Sequence, residues 1–200
     1  MTRWIASCVV CLFVFPLLTA SAQRRGPDEI EDALRDLPPA QRAQYRRQLL
    51  NLDRVSRRLL QAVPNPPQVD IVLAAGEKSV NAGTTFGKII VAEGMLDFVK
   101  SDDELAMIVG HELAHQTLGH VSRGARNSVL LNLGSVIAGS FIPGGEAVTG
   151  LFGQMVLNHF NQDQERAADQ VGLRYAYDAG YDPQAAAYVM RRMAEEVPET

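Results

Sequence analysis

An HExxH pattern, His111-Glu112-Leu113-Ala114-His115, is the feature that most restricts how this 200-residue chain can fold. Residues four apart lie on one face of an α-helix, so the two imidazoles can bind a single metal ion if the segment is helical. Glu112 then stands next to the water that such an ion holds. Two neutral nitrogens for zinc and one carboxylate for the proton of the water are typical of metalloprotease sites. The sequence therefore predicts a helix that carries a metal.

The flanking residues support this helix. Ser101-Asp102-Asp103-Glu104 is typical of a capping box, with Ser101 as the N-cap and the Glu104 side chain bonded back to its amide. Gly119 is predicted to end the helix. Helical spacing predicts a buried face that contains Leu105, Ile108, Val109 and Leu113. The alternative is a pair of core or surface histidines without a metal, and the next motif argues against it.

A hydrolytic zinc site needs a third protein ligand and one open position. The remaining candidates for that ligand are His120, His159, Glu165 and Asp169. Glu165 and Asp169 form an ExxxD pattern on a second predicted helix, which Asn161 would cap and which runs towards Gly180. There Glu165 can bind zinc while Asp169 accepts a hydrogen bond from the far nitrogen of a ligand imidazole. Alone, an ExxxD pattern is more often a solvated acidic face of a helix. After an upstream HExxH, it is a specific sign of a metal site.

With these two motifs the chain resembles the M48 family of zinc metallopeptidases over roughly residues 66–183. Residues 101–110 are similar to the segment that leads into the family's HExxH motif. Asn161-Gln162 and Ala167 depart from the family pattern without removing a metal ligand. The other matching blocks are Val80-Asn81-Ala82, Gly87 to Val91, Gly94-Met95-Leu96, Phe160 to Asp169, Gly172 and Ala179 to Pro183.

The resemblance implies an α+β, zincin-like metallopeptidase domain that is mostly helical, with a small sheet beside the HExxH helix. It implies one Zn²⁺ on His111, His115 and Glu165, with Glu112 as the general base and Asp169 as the partner of His111. The implied activity is that of a zinc metalloendopeptidase. Many relatives carry a Thr-His-Pro motif further downstream, which has no counterpart in this sequence. The group that stabilises the transition state is therefore unassigned, and the C-terminal limit of the domain is left open.

Residues 1–22 are predicted to be a secretory signal peptide. Arg3 precedes an apolar core, and Ala20-Ser21-Ala22 is typical of a cleavage site. The alternative is an uncleaved anchor, although the apolar run is short for a membrane span. Cleavage would remove both cysteines, Cys8 and Cys11, so the mature chain would need no disulfide chemistry. We therefore expect an exported protein, in a bacterial periplasm.

The mature chain is predicted to contain an N-terminal amphipathic helical segment, residues 23–65, and the peptidase domain, residues 66–200. Basic residues between 42 and 58 alternate with acids, glutamines and leucines on a helical period, after Pro38-Pro39 and before Pro64 to Pro67. The favoured interpretation is a helix that packs on its own domain; association with a membrane surface or a partner is the alternative. The net charge of −4 argues against nucleic acid as a partner.

From residue 69 the period changes to that of strands. Residues 69–75 and 88–92 are predicted strands, with turns at Gly76 and at residues 83–87. In zincin-like folds an edge strand pairs with an extended substrate through main-chain hydrogen bonds. By this resemblance the candidate substrate-binding residues are Lys88, Ile89, Ile90, Val91 and Ala92. The alternative is an interior strand without contact to substrate.

Residues 127–162 hold two apolar pieces, 129–142 and 147–157, around Pro143-Gly144-Gly145. Each piece is shorter than the roughly 20 residues that a membrane span needs. A buried helical hairpin near the site is the favoured interpretation, and a hairpin that dips into a membrane is the alternative. Its position upstream of Glu165 suggests the further hypothesis that it gates the site.

Three classes of function remain. The favoured class is a zinc endopeptidase that acts on unfolded or extended polypeptides, such as misfolded exported or membrane-associated proteins. The second is a chaperone or scaffold that keeps the zinc fold with little proteolysis, which the lack of the downstream motif favours. The third is a structural zinc domain or a metal-free domain in which HExxH is accidental.

Overall fold

The structure is a computed structural model that describes residues 30–31, 34–35, 37–85, 87–121 and 160–197. These residues form an α+β fold that is mostly helical and has a three-stranded sheet, which confirms the predicted fold class. The predicted signal peptide, the two apolar pieces and His159 lie outside the described residues. Among the helices of the described ranges, none combines the length and the apolar character that crossing a bilayer requires.

Helix α1 (Pro39–Ala62) is the charge-rich amphipathic helix expected from the sequence. Proline in its first turn suits the fixed φ of that position, and the chain leaves the helix before Pro64. Its buried stripe faces the common core of the domain, as the favoured interpretation predicted, and consists of Tyr45, Leu49, Leu52, Val55, Ser56, Leu59 and Leu60. On its outer side, Arg54 pairs with Asp102 at the start of the HExxH helix.

The sheet contains β1 (Asp70–Ala74), β2 (Ala82–Thr85) and β3 (Lys88–Ala92) in the order β1-β3-β2. Strand β3 is parallel to β1 and antiparallel to β2. Its central position contradicts the prediction that Lys88–Ala92 is an edge strand that pairs with substrate. The backbone groups on both sides of β3 are already hydrogen-bonded to neighbouring strands, so a peptide cannot add to it.

Strand β2 corrects a second expectation, that of a turn at residues 83–87. Gly83, Thr84 and Thr85 pair with Ile90, Ile89 and Lys88, so these three residues belong to the strand and not to a turn. Gly87 has φ +65°, a conformation that glycine adopts without steric cost. Glycine and threonine are weak strand signals by themselves, and the pairing with the apolar strand β3 outweighs local preference.

Helix α2 (Glu93–Phe98) follows β3, and α3 (Asp102–Thr117) carries the HExxH pattern. Ser101 caps α3 as predicted, since its hydroxyl accepts a hydrogen bond from Glu104 N at 3.2 Å. The Glu104 carboxylate does not return to the Ser101 amide; it accepts from Lys100 N at 2.7 Å and from Arg192. The apolar face predicted for α3 is buried, and Gly119 (φ +67°) follows the end of the helix.

Helix α4 (Gln162–Asp178) begins with a capping box between Asn161 and Gln164, and α5 (Gln184–Glu196) closes the described fold. Helices α3 and α4 cross where Gly110 meets Gly172. A Cβ on Gly172 would lie 2.7 Å from His111 N, and a Cβ on Gly110 would lie 2.9 Å from Gly172 O. The two backbones therefore touch directly beside the HExxH motif.

Candidate metal centre

Three side chains meet at the crossing of α3 and α4. His111 and His115 project from α3, and Glu165 projects from the first turn of α4. One donor atom from each lies within 4.8 Å of the others. Among the described residues, this is the group of side chains that could hold a metal ion. The structure thus brings together the residues that the sequence predicted as ligands.

The spacing of the donor atoms fits one small ion. The two Nε2 atoms are 3.1 Å apart, and Glu165 carboxylate oxygens lie 3.4 Å from His111 Nε2 and 3.7 Å from His115 Nε2. Tetrahedral ligands at about 2.0–2.1 Å from zinc would be about 3.3 Å apart. Two imidazoles and one carboxylate are also the ligand set of known hydrolytic zinc sites. The residues present therefore fit such an ion.

His115 is the most enclosed member of the group, with a side chain that is 1% exposed. Burial, together with the neighbouring His111 and His120, lowers the pKa of His115 to about 3. The ring is therefore neutral at ordinary pH and keeps a nitrogen lone pair for a metal. Phe160 stacks on it with ring centroids 3.9 Å apart and an interplanar angle of 23°, and His120 Nδ1 lies 3.0 Å from His115 Nδ1.

His111 is held from the side opposite to the donor group. Its Nδ1 lies 2.9 Å from Asp169 Oδ1, one turn along α4 from Glu165, which is the contact expected from the ExxxD pattern. Such a carboxylate fixes the ring and keeps the proton on Nδ1, which leaves Nε2 free to bind a metal. Burial raises the pKa of Glu165, although the neighbouring His111 opposes this shift.

Glu112 lies on the wall of a cavity of about 470 Å³ that also borders His111, Glu165 and Asp169. Burial raises the pKa of Glu112 to about 7, and the charge of Glu165 adds to this effect while His111 opposes it. A bound cation would lower that pKa. The rest of the wall is mainly apolar and includes Met95, Met107, Ile108, Leu173, Val189, Met190 and Met193.

Strand β2, rather than β3, borders this cavity, through Ala82 and the preceding Asn81. Ala92 N donates to Asn81 O, so in the alternating antiparallel pattern the main-chain groups of Ala82 and Thr84 point away from β3. Gln116, the residue after the HExxH motif, donates through Nε2 to Thr85 O at 2.6 Å and to the Thr84 hydroxyl. The HExxH helix is therefore bonded directly to strand β2.

Sequence reasoning missed several residues around the site. The sequence indicates His120 only as a candidate ligand, whereas it contacts the far side of the His115 ring. The role of Phe160 has no signal in a single sequence. The contact between Gly110 and Gly172 could have been suspected, because each glycine sits next to a motif on a predicted helix, where glycine is otherwise unfavourable.

Comparison with known proteins agrees with this geometry. The model of peptidase family M48 matches residues 46–199, and the chain belongs to that family. It is 31% identical over 125 residues to mitochondrial metalloendopeptidase OMA1 of Arabidopsis thaliana, a match that covers 62% of this chain and 26% of that protein. It is 26% identical over 132 residues to the β-barrel assembly-enhancing protease of Yersinia pestis, with 58% of this chain and 26% of that protein covered.

Metalloprotease LoiP of Escherichia coli strain K12 is 31% identical over 126 residues, which cover 59% of this chain and 49% of that protein. The chain thus spans about a quarter of the length of the first two relatives and about half of the third. The family model begins at residue 46, inside α1, so the matched region includes most of the helix that precedes the sheet.

Proposed function

We propose that this protein is a zinc-dependent endopeptidase in which His111, His115 and Glu165 bind the ion and Glu112 is the general base. The observation that carries the proposal is the convergence of three donor atoms within 4.8 Å on two crossing helices. Membership of a peptidase family supports hydrolysis of polypeptides as the reaction. The neutral state of His115 and the presence of only one carboxylate in the group favour zinc over the harder cations Mg²⁺ and Ca²⁺.

The ion, when bound, supplies a Lewis acid for the carbonyl of the substrate and a water of lowered pKa. Glu112 follows His111 on α3 and lines the same cavity, so its carboxylate would accept the proton of a water in that cavity. The same carboxyl group would then donate this proton to the amine that leaves. Asp169 keeps the His111 ring in the orientation and tautomer that metal binding requires.

The substrate that best fits the site is an extended polypeptide. Ala82 lines the cavity, and its outward main-chain groups offer hydrogen bonds to an extended chain that lies alongside the start of β2, whatever its side chains are. The apolar wall of the cavity, with Met107 and Met190 among its residues, favours an apolar substrate residue next to the cleaved bond. Unfolded chains expose both features.

We further infer that the substrates are misfolded exported or membrane-associated proteins. The predicted signal peptide (residues 1–22) supports export, and a bacterial periplasm is the compartment that we propose. One relative bears a name that refers to β-barrel assembly, which supports a role close to a membrane surface. The net charge of −4 continues to argue against nucleic acid as a partner.

The test is cleavage of casein by the zinc-loaded protein and by Glu112→Gln, with zinc content measured for both. We expect cleavage by the wild type, and a loss of at least about 100-fold in Glu112→Gln with zinc retained, because general-base catalysis contributes about 10²–10⁴-fold. Mass spectrometry of the products should find apolar residues next to the cleaved bonds. Wild-type rates in Glu112→Gln would contradict the proposal. Binding of casein by both forms without cleavage would support the chaperone alternative instead.

A further inference from the structure

His115 and His120 form a second histidine pair, next to the metal-binding group of His111, His115 and Glu165. His120 is 4% exposed, and its Nδ1 lies 3.0 Å from Nδ1 of His115, on the side of the ring opposite to the donor atom Nε2. The contact has the same form as that between His111 Nδ1 and Asp169 Oδ1, at 2.9 Å. Both candidate ligand imidazoles therefore have a partner on their far nitrogen.

The position of His120 depends on the end of α3 before this residue. On an uninterrupted helix, residues five apart are about 140° apart around the axis, so His120 would face away from His115. The helix ends at Thr117, and Gly119 adopts φ +67°, a conformation that reverses the chain at low steric cost. The chain then resumes a helical conformation at His120, which lies against the inner side of His115.

The chemistry of a ligand imidazole determines what this contact does. A metal on His115 Nε2 uses the lone pair of that nitrogen, so the ring proton must be on Nδ1. That N–H can donate to Nδ1 of His120 only if His120 carries its own proton on Nε2. A neutral imidazole also suits this buried place, where an unpaired carboxylate would be costly, whereas its counterpart Asp169 is 58% exposed.

We propose that His120 is a positioning residue for His115: it accepts the Nδ1 proton and thereby fixes the ring orientation and the tautomer in which Nε2 binds the metal. The inference rests on the proposed metal site, but it does not require that the protein cleave peptides. Phe160 assists by stacking on the same ring, at 3.9 Å between centroids. His120 is not among the side chains whose donor atoms converge on the candidate site, which are His111, His115 and Glu165.

The test compares His120→Leu, which removes the acceptor, with His120→Asn, which places an amide oxygen near the position of Nδ1. Zinc affinity is measured by competition with a chromogenic chelator, and the ligand geometry by the visible absorption of the Co²⁺ form. We expect His120→Leu to weaken zinc binding about 10–100-fold and to change the Co²⁺ spectrum. His120→Asn should restore both to nearly wild-type values. Asp169→Ala provides a reference for loss of the equivalent contact on His111.

A control separates positioning from general loosening of the core. Val109→Ala removes buried volume from α3, where Val109 is 0% exposed, and should lower the free energy of unfolding without changing zinc affinity. Wild-type zinc affinity in His120→Leu would overturn the inference, as would equal weakening in the Leu and Asn variants. If the wild type bound zinc in this His120-dependent way but cleaved nothing, only the proposed activity would fail. If the wild type bound no zinc, both proposals would fail.

Discussion

At the scale of single residues, Glu104 is a buried carboxylate outside the candidate metal site. Its carboxylate accepts hydrogen bonds from Arg192 Nη1 at 2.5 Å and Nη2 at 2.9 Å and from Lys100 N at 2.7 Å, and its side chain is only 8% exposed. Arg192 above all, with the Lys100 amide, holds the pKa of Glu104 below its ordinary value of 4.5 despite the opposing effect of burial. The pair joins α5 to the first turn of α3.

We predict that Glu104→Gln destabilises the fold by about 2 kcal/mol at pH 7, the range for a hydrogen bond to a charged group. Because the folded-state pKa of Glu104 is lowered, its contribution is complete above the unfolded value and is lost as the pH falls through the folded value. The difference in the free energy of unfolding between wild type and variant should therefore shrink as the pH is lowered below 4.5. Urea unfolding at pH 7 and at a pH below 4.5 measures this difference.

Asp178→Asn is the matched control for that experiment. Asp178 pairs with Arg174 along the surface of α4, where the arginine side chain is 70% exposed, so the pair is screened by solvent. This variant should unfold like the wild type at both pH values. A constant difference between wild type and Glu104→Gln across the pH range would show that the ionised carboxylate is not the source of the stability.

The residues of the metal-binding group were the easiest part to predict, because His111, His115, Glu165 and Asp169 occupy i, i+4 positions whose geometry follows from helical periodicity alone. His120 could not be assigned in the same way. Its contact with His115 depends on a left-handed residue at Gly119, and a sequence shows that such a break is allowed but not where the chain goes after it.

At the scale of elements, the contact between Gly110 and Gly172 determines where α4 lies relative to α3. An added Cβ on Gly172 would meet three backbone atoms at 2.7–2.8 Å, and backbone cannot move aside as a flexible side chain can. The helices would have to separate, and that would draw Glu165 away from the two histidines.

We predict that Gly172→Ala destabilises the metal-free fold by about 1–3 kcal/mol and weakens zinc binding in the same protein. The sign of the change in the free energy of unfolding distinguishes a close contact from an open position. Replacing glycine by alanine at an open helical position stabilises a protein by up to about 1 kcal/mol. Urea unfolding and chelator competition measure the two effects. Gln170→Ala, an exposed position on α4, is the control and should change neither. A stabilised Gly172→Ala with normal zinc affinity would contradict the proposed role of the crossing.

The sequence predicts the helices and their caps, where local signals and burial agree. It does not predict the arrangement of the strands, which depends on their pairing partners. Ser101 and Asn161 cap their helices as expected, because an N-cap side chain satisfies amides only two or three residues away. Strand order depends on contacts between distant segments, so the sequence indicates neither strand β2 nor the central position of β3. A continuous apolar run such as Lys88–Ala92 is in fact typical of a strand buried on both faces.

At the scale of the whole molecule, α1 belongs to the same core as the sheet and α3. Glu93, which is 1% exposed, accepts hydrogen bonds from Gln44, from Tyr45 and from Gly76 N, and so connects α1 to the end of β1. Residues before and after position 65 are thus joined by polar as well as apolar contacts.

We predict that a chain beginning at Pro66 does not fold. It would lose the burial of six apolar side chains of α1, each contributing about 1.5 kcal/mol or more, against a total stability of about 5–15 kcal/mol. Loss of near-ultraviolet circular dichroism and of a cooperative thermal transition would show this. A chain beginning at Gln23, after the predicted signal peptide, is the control and should unfold like the complete one. Cooperative unfolding of the shorter chain would indicate two independent units.

The crossing of α3 and α4 brings together residues that are remote in sequence, since His111 and Asp169 are 58 positions apart. An ion shared by the two helices would close a long loop much as a disulfide does. It would bind the native chain but not the unfolded one, and would add about 4 kcal/mol to the free energy of unfolding at about a thousand times its dissociation constant. The concentration of free metal would then determine the stability of the folded protein as well as its activity. A shortage of metal would therefore lower both the amount of folded protein and its activity.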